Sequence, residues 1–393
     1  MKPVLFACLL AACSAAAPDP VPSPVREPRE VAGAPSEVEG SSSSEREAEA
    51  GASVDVGAEP GGVARVEPGE PSGVVQAGSP PSGERAGVDE PASLVAAIAA
   101  LQELTPDPAP AHTTNDVHYL VSNERRHDLF RPELDERGGV QLGVGTDQNY
   151  VMAAWSRPEL LVIVDFDQQV IDLHAVHGAL LAAAPTVEDF RRLWSEEGTD
   201  EAHAAVRAAE PDRARRAELL VRYDETRPVV DKRLRTLSRR YAELGVHSYL
   251  DTPAQYRFVA ELHARGRVVA IRGDFTVDGV LRELASVLEA HGLRIEVLYL
   301  SNIEQYLAYR KPFRANMLAL PLAEDALVLR TLPGKPAGFH YFLQSGDDFL
   351  AWMRESRGST VYRMVGKAKG DPPLTANERV VLTGRPDDPP AEG

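Results

Sequence analysis

The stretch Leu160-Leu161-Val162-Ile163-Val164-Asp165 decides the fold. Five consecutive apolar residues, two of them valine and one isoleucine, close on an acid. A run this short and this continuously apolar is what a strand carries when both faces of its sheet are covered. Working outward, Gly139–Val144 (GVQLGV) reads as a short strand and Asn149–Trp155 as a short helix. Val170–Ala183 reads as the next helix. Further strands are expected at Arg267–Ile271 (RVVAI), Ile295–Leu300 (IEVLYL), Ala326–Arg330, Phe339–Leu343 and Thr360–Met364. Between them Val280, Leu281, Leu284, Val287 and Leu288 form a helical stripe that Gly292 ends. Strand and helix in alternation imply an α/β domain with a doubly wound, mostly parallel sheet.

The domain is expected to span 93–393, opening on a helix with Leu94, Val95, Ile98 and Leu101 on one face. A charged, Arg-, Glu- and Ala-rich stretch from about 185 to 265 reads as a helical insertion. Its basic runs, 213–216 and 235–240, read as a solvated face. The sharper reading makes the insertion a lid, with Tyr223, Tyr241, Tyr249 and Tyr256 closing a cleft.

Ligands of doubly wound sheets bind at the carboxyl ends of the strands, so polar residues there are the candidate site. The first strand ends in Gly143-Val144-Gly145-Thr146-Asp147-Gln148-Asn149. Glycines permit a tight turn that aims N–H groups at a ligand at a helix start. Asp165 closes the next strand, 20 positions after Gly145, near the spacing at which an acid meets ribose hydroxyls in dinucleotide-binding folds. Asp274 follows the third strand, and Ser301 and Asn302 follow the fourth. The site residues are therefore Gly143, Gly145, Asp165, Asp274, Ser301 and Asn302, holding a small molecule. The structural alternative is ordinary glycine turns and strand-end caps.

Composition bounds the function. The net charge of −17 argues against nucleic-acid binding. Between Ser14 and Ala92 there are 15 acids, 5 bases and no aromatic residue. Such a segment buries too little apolar surface to offset the ordering of its backbone, so a disordered acidic tether is expected over 13–92. The chain has two cysteines, Cys8 and Cys13. The apolar run before Cys13 is about ten residues, half of what a bilayer crossing needs.

Leu10-Ala11-Ala12-Cys13 resembles the lipobox of bacterial lipoproteins. The resemblance implies removal of residues 1–12, lipid on Cys13, and anchoring in the cell envelope. Ser14, where an inner-membrane signal would have Asp, points to the outer membrane. It also implies a mature chain without a free thiol, a Cys-ligated metal or a disulfide.

A second resemblance covers roughly 115–335. GGVQLGVGTDQN, LLVIVDFD, IRGDF and YLSNIEQYL look like a bacterial family of unknown function whose fold is similar to that of S-adenosylmethionine-dependent methyltransferases. By that analogy Gly143 and Gly145 would line the methionine end of the cofactor, Asp165 would hold ribose, and Asp274 would lie near adenine. Ser301 and Asn302 would face substrate. Thr146-Asp147-Gln148 stands where the methyltransferase pattern has a further glycine, and S-adenosylmethionine is cytosolic, so binding of a small nucleoside-like ligand is favoured over methyl transfer.

Other chemistries are possible from sequence. Asp165 and Asp167, then Ser301, Lys311, Asp347 and Asp348, follow the order of the haloacid dehalogenase phosphatases, which hold Mg²⁺. Asp172, His174 and His177 have helical metal-ligand spacing, although an apolar helix edge explains them as well, and no metal is assigned. No GxSxG elbow is present. A non-catalytic envelope scaffold is the remaining alternative.

Overall fold

The computed structural model describes residues 91–110, 118–334, 338–355, 360–368, 377–383 and 385–386. Cys13 and the acidic stretch as far as residue 90 lie outside them. Seven strands form one sheet: β1 (Val140–Gly143), β2 (Leu160–Asp165), β3 (Val268–Arg272), β4 (Ile295–Tyr299), β5 (Leu322–Gly334), β6 (Gly338–Ser345) and β7 (Arg379–Leu382). Their order is β3-β2-β1-β4-β5-β6-β7. The first five in that order are parallel. β6 runs antiparallel to β5, and β7 follows β6. The expected α/β class and mostly parallel sheet are thus present.

Leu160 to Val164 are all fully buried, because β2 is covered on both sides. Leu161 and Ile163 enter one apolar core, and Leu160, Val162 and Val164 enter the other. The first core is closed by α2 (Arg131–Leu134), α3 (Gln148–Ser156), α4 (Gln168–Ala183), α5 (Val187–Trp194), α6 (Thr199–Ala209), α7 (Arg213–Glu243) and α8 (Pro253–Ala264). The second is closed by α1 (Ala92–Gln102), α9 (Val280–Ala290), α10 (Lys311–Ala319), α11 (Gly346–Arg354) and α12 (Val361–Ala368). Each leucine taken fully from water contributes about 1.5–3 kcal/mol, so the sheet is held from both sides.

Helices α5 to α8 occupy the chain between α4 and β3. In α7, Asp212 caps the first turn by accepting from the Arg215 N–H at 2.8 Å. Leu219, Tyr223, Thr226, Val230, Leu234, Leu237 and Tyr241 then recur every three or four residues as one buried stripe. That stripe corrects the lid expectation. Tyr223, Tyr241, Tyr249 and Tyr256 are all fully buried in the first core. The apolar face that carries them is the face the helices must cover. Tyr223 and Tyr256 spend their hydroxyls on the Leu193 and Ala184 carbonyls, each at 2.7 Å.

Residues 360–364 are also corrected. They open α12 instead of forming a strand. Val361, Met364 and Val365 are buried while Tyr362 and Arg363 face out, an i, i+3, i+4 pattern that a five-residue window hides. The last strand is β7, for which the sequence reading had no candidate.

Candidate functional site

The parallel strands place Gly143, Asp165, Asp274 and Ser301 on one rim, at or just beyond the carboxyl ends of β1, β2, β3 and β4. The contacts within the rim decide what it can do. A Cβ on Gly143 would lie 1.9 Å from Asn149 Oδ1, so the glycine makes room for the chain's own side chain. Gly145 has φ +86°, a left-handed backbone that glycine adopts freely. Its N–H donates to Asp165 Oδ2 at 3.2 Å. The Thr146 N–H donates to Gln148 Oε1 at 3.1 Å, and the Val144 N–H to the Tyr299 carbonyl at 3.1 Å. The Val144 carbonyl accepts from Gln148 Nε2 and Asn149 Nδ2. The amides of Val144, Gly145 and Thr146 therefore have partners already.

Asp165 is 9 % exposed. Its carboxylate accepts the Gly145 and Asp167 N–H groups. Burial, reinforced by the Asp167 charge, pushes its pKa up to about 7. The Gly145 carbonyl accepts from His174 Nε2 at 2.8 Å, and the Tyr150 hydroxyl lies 2.6 Å from His174 Nδ1. A carbonyl only accepts, so Nε2 carries the ring proton and Nδ1 accepts from Tyr150. Burial holds His174 down at about 4, and therefore neutral. Asp274 is tied to a turn. Its N–H donates to Asp107 Oδ2 at 3.0 Å, and its carboxylate accepts the Thr276 N–H and hydroxyl.

Beyond β4 the rim is plugged. Glu124, which the sequence reading missed, is 1 % exposed. It accepts from Ser301 Oγ at 2.9 Å, His127 Nε2 at 2.7 Å, and the Tyr299 and Thr331 hydroxyls. Burial alone would raise its pKa. The His127 ring, with Thr331 and Tyr299, outweighs burial and holds it at about 2. Arg233 of α7 braces the same place. Its Nε meets Asp147 Oδ2 at 2.8 Å and its Nη1 donates to the Glu124 carbonyl at 3.0 Å. Order 3-2-1-4-5 reverses direction between β1 and β4, which is where a doubly wound sheet offers its ligand crevice. Here that crevice is filled by Glu124 and its partners. Ser301 sits at φ +50°. Its hydroxyl donates to the Glu124 carboxylate, which already accepts from His127, Tyr299 and Thr331. Asn302 caps the one-turn helix Ile303–Gln305 through its carbonyl, which accepts from Gln305 N–H at 3.2 Å.

Open space lies instead along the outer edge of β3, and none of the six expected site residues lines it. A cleft of about 410 Å³ runs between α4 and β3, lined among others by Gln168, Ile171, His174, Arg215, His263 and Arg272. Arg272 is the register partner of Asp165. His263 Nε2 is buried and has no hydrogen-bond partner among the described residues. A recess of about 500 Å³ lies at the opposite rim, by Arg294 and Leu320. We favour the smaller cleft because it adjoins the carboxyl ends of the strands.

The phosphatase constellation does not assemble. β6 is antiparallel, so Asp347 and Asp348 follow it to the rim away from Asp165, and Gly346 lies against Ala326 near the start of β5. Asp167 caps α4 and meets His118. Asp172, His174 and His177 also point apart. Asp172 takes Arg215 at 2.7 Å, and His177 Nδ1 donates to the Leu173 carbonyl at 3.0 Å. No cluster of three metal-ligating side chains occurs among the described residues.

Residues 119–379 match the model of a family described as a domain of unknown function (DUF7790). No curated protein matches the chain.

Proposed function

We infer that this chain, which belongs to the DUF7790 family of unknown function, is a binding module that holds a small polar ligand in the cleft between α4 and β3. One observation carries the reading. The β1–β4 crevice is filled by Glu124, while the outer edge of β3 keeps a cleft of about 410 Å³. That volume lies within the range of small-molecule sites. The strand order 3-2-1-4-5 supports the methyltransferase-like resemblance at the level of fold. The residues present do not fit S-adenosylmethionine. The loop amides that would receive it are engaged, and Gly143 backs onto Asn149. Methyl transfer is accordingly the weaker reading.

The test is a thermal-shift screen of the mature protein against nucleosides, S-adenosyl compounds, sugar phosphates and short acidic peptides, with product analysis alongside. Ligand at 100 times its Kd adds about 2.7 kcal/mol. We expect one class to stabilise the protein without turnover, and Ala175→Trp at the cleft mouth to abolish the shift. Silence from every class, or a shift indifferent to Ala175→Trp, rejects the cleft.

We further propose that lipid on Cys13 moors the module to the envelope, most simply at the outer membrane. The Leu10–Cys13 run and Ser14 support this. Mass spectrometry of the amino-terminal peptide should find it acylated in the membrane fraction. Unmodified Cys13 in the soluble fraction would refute the anchor.

A further inference from the structure

β3 ends the sheet, and the register fixes which groups its free side offers. The Leu161 N–H donates to the Arg267 carbonyl at 2.9 Å, and the Gly273 N–H to the Asp165 carbonyl at 2.9 Å. Residues 267, 269, 271 and 273 therefore face β2. Alternate residues of a parallel ladder face opposite sides, so Val268, Ala270 and Arg272 turn their N–H and C=O outward. The Arg272 carbonyl is taken by the Asp107 N–H at 3.0 Å. The chain thus supplies one residue of a neighbouring strand and then leaves. Among the described residues nothing takes up the outward groups of Val268 and Ala270, and both residues are only partly covered. No proline, lysine or bulge interrupts the edge, the usual devices that block pairing.

These outward groups floor the cleft. Leu101 and Leu104 form one wall and Ile171 lies on the other. Arg215 and Arg272 are its charged lining residues, and no carboxylate lines it. Arg215 is shared with Asp172 and Glu218; Arg272 gives its Nε to the Asp107 carbonyl. Main-chain donors and acceptors that repeat every second residue, about 6.6 Å apart, match another extended backbone. A compact ring system spans only one such repeat.

Resting on the cleft reading above, we propose that the ligand is a short extended peptide with acidic side chains, which adds to β3 as an eighth strand. Main-chain bonds to Val268 and Ala270 hold it, the leucine wall takes its apolar side chains, and Arg272 favours its carboxylates.

The test uses the whole protein and a fluorescein-labelled pentapeptide of alternating valine and glutamate. Anisotropy should show saturable binding, at least tenfold weaker when lysine replaces glutamate. N-methylation should abolish binding at one alternating set of peptide positions and spare the other. Ala270→Pro removes an outward N–H without breaking the β2 ladder, and should weaken binding at least tenfold. Equal tolerance of N-methyl groups at all positions overturns strand addition. That scan uses the unmodified protein, so it decides the question even if Ala270→Pro fails to fold. If the peptide does not bind but a nucleoside stabilises the protein and not Ala175→Trp, the peptide assignment fails and the cleft reading stands. If neither binds, both fail.

Discussion

The Gly145 N–H donates to the Asp165 carboxylate across 3.2 Å, so the turn after β1 is pinned to the end of β2 by an acid that is largely out of water. In a nucleotide-binding sheet these two residues would each face the ligand. Here they face each other.

That contact makes stability depend on pH. The folded pKa of Asp165, about 7, lies above its ordinary value of 3.8. The native state therefore holds this proton more tightly than the unfolded chain. The contribution is fully present below pH 4 and is lost as pH rises through 7. Asp165→Asn should remove that loss, so the mutant's stability relative to the native protein should rise by up to about 3 kcal/mol between pH 5 and pH 8. This comes on top of a pH-independent cost, because both Asp165 oxygens accept backbone N–H groups and the amide nitrogen opposes one of them. Urea titrations of both proteins at pH 5 and pH 8 measure it. A pH-independent difference contradicts the prediction.

The histidines around Tyr150 act in the opposite direction. Burial depresses His174 and His177 to about 4 and His263 to about 3, from 6.5, and neighbouring imidazoles add to the effect at His174 and His263. The native state refuses protons that the unfolded chain takes up, so their contribution is full above pH 6.5 and declines toward pH 4. Three groups outweigh the single Asp165, and net acid destabilisation is expected in that window. His263→Leu should flatten the decline, as read from Tm at pH 7, 5.5 and 4.5.

Glu124→Ala should be among the most damaging single substitutions. It leaves the Tyr299, Ser301 and Thr331 hydroxyls and His127 without their shared acceptor inside the protein. A loss of about 3–5 kcal/mol is expected. Glu124→Gln, which keeps one acceptor oxygen, should lose less. Denaturation midpoints order the three proteins, and equal midpoints would show that the plug is not structural.

Ser301 separates backbone strain from hydrogen bonding. Ser301→Ala and Ser301→Gly both lose the 2.9 Å bond to Glu124, but only glycine is relaxed at φ +50°. Ser301→Gly should be the more stable of the two by about 1 kcal/mol. The reverse order would place the strain elsewhere.

The strands were legible where burial on both faces forced continuous apolar runs, as in Leu160–Val164. The helices were legible where one stripe had to be covered, as in α9. What stayed hidden was long-range. Glu124 lies in a polar stretch without periodicity, and nothing local shows that it meets Tyr299 and Thr331. The antiparallel turn into β6 was equally invisible, so Asp347 and Asp348 read as partners of Asp165. The glycines of the β1 turn were located correctly as to position. Their contacts depend on Gln148 and Asn149 folding back, which spacing does not reveal.

The Glu124 clamp joins residues 175, 177 and 207 positions apart. Closing loops of that length is entropically expensive and gains nothing until both ends have arrived. A chain delivered from its amino end can build the first three strands and the helices that follow β2. It cannot lock position 124 before Thr331 emerges. Until then a carboxylate, a histidine and the underside of the sheet stand open to water together. Slow delivery, or truncation before 331, should leave a species with most of its helix content and an unsealed rim, the natural substrate for chaperones and proteases.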